Sequence, residues 1–305
     1  MVRRALLLLA LLLAVSPALR GQQPSYVPHR VLDSPRGQFS DFETMVADLA
    51  RADVVFLGEQ HDDPNTHRLQ LAVLEGLARR RASIVLSLEM FERDTQEQLD
   101  HFTMGHVTEA DFLRDARPWP RYATDYKPLV DFAVAKNFSV IAANVPRTFA
   151  SEVSKGGLEV LKAKSDADRK LFAREVRCPT DDDYFKRFEE AMGGHTSGTA
   201  PADVQKKQTT ERYYYSQCLK DETMAESIGE AYVAGAIGGK RPLVLHVNGS
   251  FHSDFGSGTA ERTRRRQPDK RIVVVTFVPV ANLDQVTADP KDRKRADFLV
   301  YTLGK

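Results

Sequence analysis

Short apolar runs alternate with amphipathic segments along most of the chain. Runs typical of buried strands lie at Asp53–Leu57, Ile84–Leu88, Ser139–Ala143, Leu243–Val247 and Ile272–Val278, and Phe298–Thr302 predicts an edge strand. Helical spacing of apolar residues occurs at Ser40–Ala50, Pro64–Arg80, Thr95–Phe102, Thr108–Asp115, Tyr126–Lys136 and Thr259–Arg266. Strands that alternate with helices predict an α/β fold, with a mostly parallel sheet flanked by helices.

The pattern changes between residues 149 and 236, where charge is high and no strand is predicted. Helices are predicted there near Ala167–Val176, Asp183–Met192 and Ala202–Ala236, with a break at Gly193–Pro201. We therefore predict one domain over residues 40–302 with an inserted, smaller helical subdomain at about 149–236.

The first 21 residues have the features of a secretory signal peptide. Arg3 and Arg4 precede the apolar run Ala5–Val15, and Ser16-Pro17-Ala18 offers small residues for cleavage. This run is too short for a membrane helix, and no other run reaches the roughly 20 apolar residues that a span needs. No cysteine follows it, so a lipoprotein anchor is not predicted. We predict a periplasmic or secreted protein with no membrane span in the mature chain.

Composition adds two constraints. The net charge of the 305 residues is +1, which does not indicate a nucleic-acid partner. Export would make Cys178 and Cys218 candidates for a disulfide, and two free buried thiols are the alternative.

Polar residues follow four of the predicted strands. They are Glu59 and His61, Glu89 and Glu92, Asn144 and Arg147, and Asn248 and His252. Parallel neighbouring strands would bring them to one crevice at the carboxyl edge of the sheet. Imidazoles and carboxylates there can bind a divalent metal ion or perform acid–base catalysis. The candidates for both roles are Glu59, His61, Glu89 and His252, whereas Glu92 is more typical of a helix cap or a loop ion pair.

An aromatic and basic loop, Arg117–Tyr126, offers a second kind of chemistry. Trp119, Tyr122 and Tyr126 could stack on a flat macrocycle, arginines could pair with its propionates, and a tyrosinate can bind ferric haem iron. The alternative is a loop whose aromatic rings fill the seam with the helical subdomain. His67, one turn into its helix, could face the crevice or the solvent.

Several motifs occur in a fixed order over residues 40–302. They read LGEQHDDPNTHRLQLAVLE, SLEMFERDTQ, RPWPRYATDYKPLVDFA, ANVPR, YYYSQCLKDETMAESI, HVNGSFHSDFGSGTAERTRRR and RADFLVYT. The first follows a GE-x-HD…H…Q pattern, and the fifth follows Q-x-x-K/R-D-x-x-MA. Their order and spacing resemble the ChaN family of haem-binding proteins, in the Tiki and erythromycin-esterase-like superfamily.

The resemblance implies haem as cofactor, a tyrosine ligand to the iron, a homodimer contact at the haem, and a role in an outer-membrane haem-uptake system. The expected haem-binding residues are Tyr122, Tyr126, Arg121, Arg147, His67 and Asn248. The wider superfamily includes metal-dependent proteases and hydrolases, which implies catalytic roles for Glu59, His61, Glu89 and His252. Two hypotheses therefore stay open: an exported haem-binding protein, and a metal-dependent hydrolase of the protease or esterase class. A third is that these polar residues only satisfy one another and that function lies in the helical subdomain.

Overall fold

The computed structural model describes residues 26–193 and 201–304. Within them, one sheet contains β1 His29–Asp33, β2 Gln38–Ser40, β3 Val54–Glu59, β4 Ile84–Glu92, β5 Ser139–Asn144, β6 Leu243–Gly249, β7 Ile272–Val280 and β8 Phe298–Leu303. The strand order is β2-β1-β8-β7-β3-β6-β4-β5. The six strands from β8 to β5 are parallel, and the β1–β2 hairpin joins β8 antiparallel. The predicted α/β fold with a mostly parallel sheet is confirmed.

Helices connect most of these strands. They are α1 Phe42–Leu49, α2 Pro64–Ala78, α3 Gln96–Thr103, α4 Glu109–Ala116, α5 Tyr122–Asp125, α6 Lys127–Ala135, α7 Arg147–Gly156, α8 Asp183–Ala191, α9 Pro201–Gly235 and α10 Gly258–Arg266. Asp63 caps α2, because its carboxylate accepts from the backbone N–H groups of Asn65 and Thr66, and Pro64 is the first residue of the helix.

Both faces of the sheet are buried. On one face, Leu57 and Leu88 pack with residues of α1, α2 and α6, such as Leu74. On the other, Phe56 and Val244 pack with Ile228 of α9 and Ala260 of α10. Central strands covered on both sides read as continuous apolar runs, which is why the sequence predicts them well.

Several segments differ from the predictions: α7 was not predicted as a helix, and β4 continues to Glu92, four residues beyond its predicted end at Leu88. The β1–β2 hairpin was not expected, since residues 22–39 are polar and the pairing of β1 depends on the distant strand β8. The helix expected at Ala167–Val176 is wrong. A single 3₁₀ turn, Asp168–Leu171, is followed by a loop whose backbone N–H groups bond to side chains of α9: Ala173 to Thr223 Oγ1 at 3.2 Å, and Arg174 to Glu226 Oε2 at 3.0 Å.

The long helix α9 links the predicted helical subdomain to the sheet. It contacts α7, α8 and α10 and also packs on β4, β5 and β6. The division of the domain at about 149–236 stays a prediction. The predicted leader at residues 1–21 and most of the predicted break at Gly193–Pro201 lie outside the described residues. Among the helices that the structure describes, none is both long and apolar enough to cross a membrane.

Candidate functional site

Three neighbouring strands bring polar strand ends together. β6 lies between β3 and β4, and its register pairs Gly249 with Glu59. The backbone N–H of Gly249 donates to Oε2 of Glu89 at 2.7 Å. A Cβ atom at Gly249 would lie 2.8 Å from Nε2 of His61. Any residue larger than glycine at position 249 would therefore displace the ring of His61, which lies near the carboxylates of Glu59 and Glu89.

Glu59 is the most enclosed member of the site, with 1% of its surface exposed. Its Oε1 accepts from the hydroxyl of Tyr126 at 2.7 Å and from Nδ1 of His61 at 2.8 Å. Its Oε2 accepts from the amide of Gln70 at 2.7 Å. Three donors on one buried carboxylate fix its position, so that it in turn orients the His61 ring.

His61 connects the buried groups to the solvent, because 46% of its side chain is exposed. Its ring lies edge-on to that of Trp119, with the centroids 5.1 Å apart. Burial opposes the imidazolium form, but the bond to Glu59 and the charges of Glu89 and Glu59 outweigh it and raise the pKa of His61. A histidine oriented by a carboxylate and open on one side can exchange protons with a ligand.

A second buried set lies beside the first. Nε2 of His252 is 3.4 Å from Oε1 of Glu89, and its Nδ1 donates to Oδ1 of Asp221 at 2.6 Å. Asp221 also accepts from the hydroxyls of Thr259 at 2.8 Å and Tyr184 at 2.7 Å. His252, Glu89 and Asp221 are each at most 5% exposed, so this is an enclosed carboxylate–imidazolium–carboxylate group.

The charges of this group stabilise one another. Burial disfavours charged His252, but the carboxylates of Glu89 and Asp221 overcome this effect and raise its pKa to about 10. Burial likewise opposes ionisation of Glu89 and Asp221, but the charge and hydrogen bonds of His252 dominate and hold the pKa of both carboxyls below their ordinary values. His252 therefore carries a positive charge at neutral pH.

The sequence of the chain matches a known family over most of its length. The family described as "Haem-binding uptake, Tiki superfamily, ChaN" matches residues 45–263. The chain belongs to this ChaN family. No curated protein matches the chain.

One solved structure supports the fold. ChaN of Campylobacter jejuni, whose structure is described as showing cofacial heme binding, is 19% identical with a TM-score of 0.65, over 90% of this chain and 97% of that one. Weaker matches are a mutant erythromycin esterase, EreC, with 11% identity, TM-score 0.44 and coverage of 90% and 82%, and a Bacillus cereus protein with 12% identity, TM-score 0.43 and coverage of 78% and 68%.

Four of the six haem-binding residues expected from the ChaN family are buried. Tyr126 donates its hydroxyl to Glu59, and His67 lies between Gln70 and Asp125, with Nε2 3.4 Å from Oδ2 of Asp125. Tyr122 packs against Phe91 and Phe112, with ring centroids 5.8 and 5.9 Å apart.

Asn248, the fourth, donates to Gly249 O at 2.8 Å and to Ser253 Oγ at 3.1 Å. Burial raises the pKa of Tyr122 to well above 10, and burial together with Glu59 does the same for Tyr126. Both phenols are therefore held in the protonated form, and all four residues are out of reach of a ligand arriving from solution. Their haem-binding roles stay predictions.

The two arginines in that set are accessible. Arg121 bonds to the backbone oxygen of His61 and lies 3.0 Å from Oδ2 of Asp125. Arg147 lies 2.5 Å from Oε1 of Glu92 with 61% of its side chain exposed, and Arg117 bonds to the other oxygen of Glu92 at 3.3 Å. Glu92, the last residue of β4, thus forms ion pairs with two arginines, in line with the structural role predicted for it.

The four predicted metal ligands are brought together, but their donor atoms are directed at one another. Glu59 bonds to His61, and Glu89 to His252 and Gly249. Over residues 26–193 and 201–304, no group of three or more His, Cys, Asp or Glu side chains has an arrangement that could hold a metal ion. The residues do not fit a metal centre in this arrangement, and the divalent metal stays a prediction.

Two partners of His252, both on α9, were not predicted from the sequence. They are Asp221 and Gln217, whose amide nitrogen lies 3.2 Å from Nε2 of His252. Both belong to the motif YYYSQCLKDETMAESI, and their spacing of four residues places them on one face of a helix. That spacing was the available signal, although it did not indicate which strand end the helix would contact.

Proposed function

We propose that this ChaN family member binds haem at an accessible surface made of His61, Trp119, Arg121 and Arg147, called here the cationic rim. The observation that supports this most strongly is the half-exposed imidazole of His61, which lies against Trp119 at the mouth of the crevice. Haem needs an axial donor, an aromatic or apolar contact and cationic partners for its propionates. The residue types of the cationic rim meet these three needs.

Each residue of the cationic rim has a separate task in this proposal. Nε2 of His61 is the candidate axial donor, since Nδ1 is bonded to Glu59. Arg121 and Arg147 would pair with the propionates, because guanidinium groups bind carboxylates in a bidentate manner. When bound, haem would supply an iron centre that accepts one protein donor. Tyr126 is the alternative donor, and it would first have to release its bond to Glu59.

A hemin titration followed at the Soret band tests this proposal. We expect saturable binding by the wild-type chain, a Kd at least tenfold higher for His61→Ala, and little change for Tyr126→Phe or for the control His101→Ala. Tenfold corresponds to about 1.4 kcal/mol, a modest value for loss of an axial ligand. Loss of the Soret shift in Tyr126→Phe alone would assign the iron to tyrosine. No shift beyond that of an unrelated control protein would refute haem binding.

We include export and haem uptake in the proposal. The support is the leader pattern of residues 1–21 and membership of an uptake family. The periplasm is the proposed compartment, and a homodimer that contacts an outer-membrane uptake system is the proposed assembly. Fractionation of cells, with the N-terminus of the mature chain determined, tests export directly.

The pairing of Glu59 with His61 favours a second candidate function, hydrolysis of an ester or a peptide. At 2.8 Å from the buried carboxylate, Nδ1 of His61 is fixed, which leaves Nε2 to take a proton from attacking water. If so, His61→Ala lowers kcat/KM by about 100-fold or more, in the range known for general bases.

The pH profile and added metal ions provide the controls for this hydrolase reading. The pKa of His61 is raised above its ordinary value of 6.5. The value of kcat/KM should therefore fall when the pH drops below this raised pKa, because His61 then becomes protonated and cannot act as a base. Activation and a higher Tm with Mn²⁺, Co²⁺ or Zn²⁺ would instead support the metal-dependent form. Absence of turnover on ester and peptide panels, with and without these ions, would leave haem binding as the function.

A further inference from the structure

A cavity of about 260 Å³ lies on the other side of the loop that carries His252. It is enclosed by α10, by the loop after β6 and by the segment before β8. It shares no residue with the cationic rim. Its charged and aromatic lining consists of Phe255, Arg264, Arg293, Lys294, Arg295 and Asp297.

The positive charges of this cavity are largely uncompensated. Arg295 pairs with Asp254, with Nε 2.6 Å from Oδ2. Arg264, Arg293 and Lys294 form no ion pair with a carboxylate in the described part of the chain. The carboxylate of Asp297 accepts from the backbone N–H of Val274 at 2.7 Å. With Arg264, Arg293, Lys294 and Arg295 against the single carboxylate of Asp297 in its lining, the cavity is a cationic pocket.

Two glycines leave room for two of these guanidinium groups to pack against the backbone. A Cβ atom at Gly256 would lie 2.8 Å from Nη1 of Arg264, and one at Gly37 would lie 2.7 Å from Cζ of Arg293. Both glycines have φ in the left-handed region, at 63° and 65°. Arg264 also donates to the backbone oxygen of Gly256 at 2.9 Å. The arginines are thus positioned against bare backbone rather than by acidic partners.

Phe255 adds a strained and exposed aromatic ring to the same wall. Its φ is 60°, a conformation that bulky residues rarely adopt, and 44% of its surface is exposed. Its backbone N–H bonds to the oxygen of Arg295 at 2.7 Å, and the guanidinium of Arg187 lies 4.6 Å from its ring. Strained residues held by their surroundings occur preferentially at ligand sites.

We propose that this cavity binds a phosphate group, carried either by a soluble phosphate compound or by an anionic lipid headgroup. Guanidinium groups match the oxygens of a phosphate in a bidentate geometry, and a nearby ammonium adds a point charge. Three cations without carboxylate partners, Arg264, Arg293 and Lys294, can neutralise a multivalent anion. The site is independent of haem binding.

Calorimetry with inorganic phosphate and with pyrophosphate at low ionic strength tests the soluble source, and sedimentation with phosphatidylglycerol or phosphatidylcholine vesicles tests the lipid source. With the full chain, we expect saturable, salt-sensitive binding of at least one phosphate probe. In Arg264→Gln combined with Arg293→Gln, the Kd should rise at least tenfold. Lys294→Gln, an exposed single change that keeps the fold, should raise it severalfold. Lys155→Gln, an exposed cation on α7, is the control.

The source follows from which probe responds. Binding of pyrophosphate that the double variant loses supports a soluble phosphate ligand, and phosphatidylglycerol binding that the double variant loses supports a headgroup. Equal affinities for wild type, the double variant and Lys294→Gln would overturn the proposal. So would the absence of binding by the wild-type chain to every phosphate probe.

Discussion

Replacement of His252 by alanine should lower the free energy of unfolding by about 3–5 kcal/mol, the usual cost of breaking a buried ion pair. The change removes the cation between Glu89 and Asp221, which lie 3.4 and 2.6 Å from its ring nitrogens. Both carboxylates would then stay buried with neutral donors, such as Gly249 N–H and Tyr184, and with the more distant charges of His61 on Glu89 and of Arg262 on Asp221. Urea unfolding followed by circular dichroism measures the loss.

The same substitution should change how stability depends on pH. The pKa of His252 is raised to about 10, so its contribution is complete below its ordinary value near 6.5. This contribution is lost as the pH rises from about 6.5 through 10. The pKa values of Glu89 and Asp221 are lowered, so the contribution of these carboxylates to stability is present above a pH of about 4 and is lost on acidification. The free energy of unfolding of the wild type should therefore decrease between pH 7 and 10, whereas that of the variant should depend less on pH in this range.

His101→Ala is the matched control, because His101 is exposed and its ring centroid lies 6.0 Å from that of His106. His252→Gln keeps hydrogen-bonding capacity without charge and is the second variant if the alanine form does not fold. A loss below about 1 kcal/mol, together with an unchanged alkaline slope, would contradict a charged His252 between two carboxylates.

The sequence predicted the central strands because they are local patterns, although β4 continues four residues beyond its predicted end at Leu88. Val54–Leu57 and Leu243–Val247 are buried on both faces and mostly apolar, and each is followed by a glycine or a polar residue. Parallel neighbours then place Glu59 and Glu89 at one edge without further information. Asp221 was not predicted as a site residue, because it lies on a helix whose docking against His252 depends on tertiary packing.

The side-chain directions of the aromatic loop were also beyond prediction. Tyr122 and Tyr126 lie in one short stretch with Trp119, yet the first fills the apolar core and the second points at Glu59. Of these three aromatic rings, that of Trp119 lies against the half-exposed ring of His61. The sequence left the crevice and this loop as competing ligand sites. In the structure they are joined, since Tyr126 and His61 both bond to Oε1 of Glu59.

The cysteine pair shows the same division between local and tertiary information. Sequence supplied two candidates for a bond but no distance between them. The structure joins Cys178 to Cys218, with a Cα–Cα distance of 5.8 Å. The loop that begins at Ala173 lies along α9 near this disulfide. Hydrogen bonds from its backbone N–H groups to the side chains of Thr223 and Glu226 hold it there.

Loss of this disulfide should cost about 2–4 kcal/mol, because it closes a loop of 40 residues and restricts the unfolded chain. Cys178→Ala combined with Cys218→Ala should show the loss in urea unfolding, and reductant should lower the wild type to the same level while leaving the double variant unchanged. That loop carries α8, whose Tyr184 donates to Asp221, so the double variant should also unfold more readily around His252. Two free thiols in untreated protein, or equal unfolding midpoints for the wild type and the double variant, would contradict a stabilising disulfide. Either result would also show that the bond does not support the packing of α8 beside His252 and Asp221.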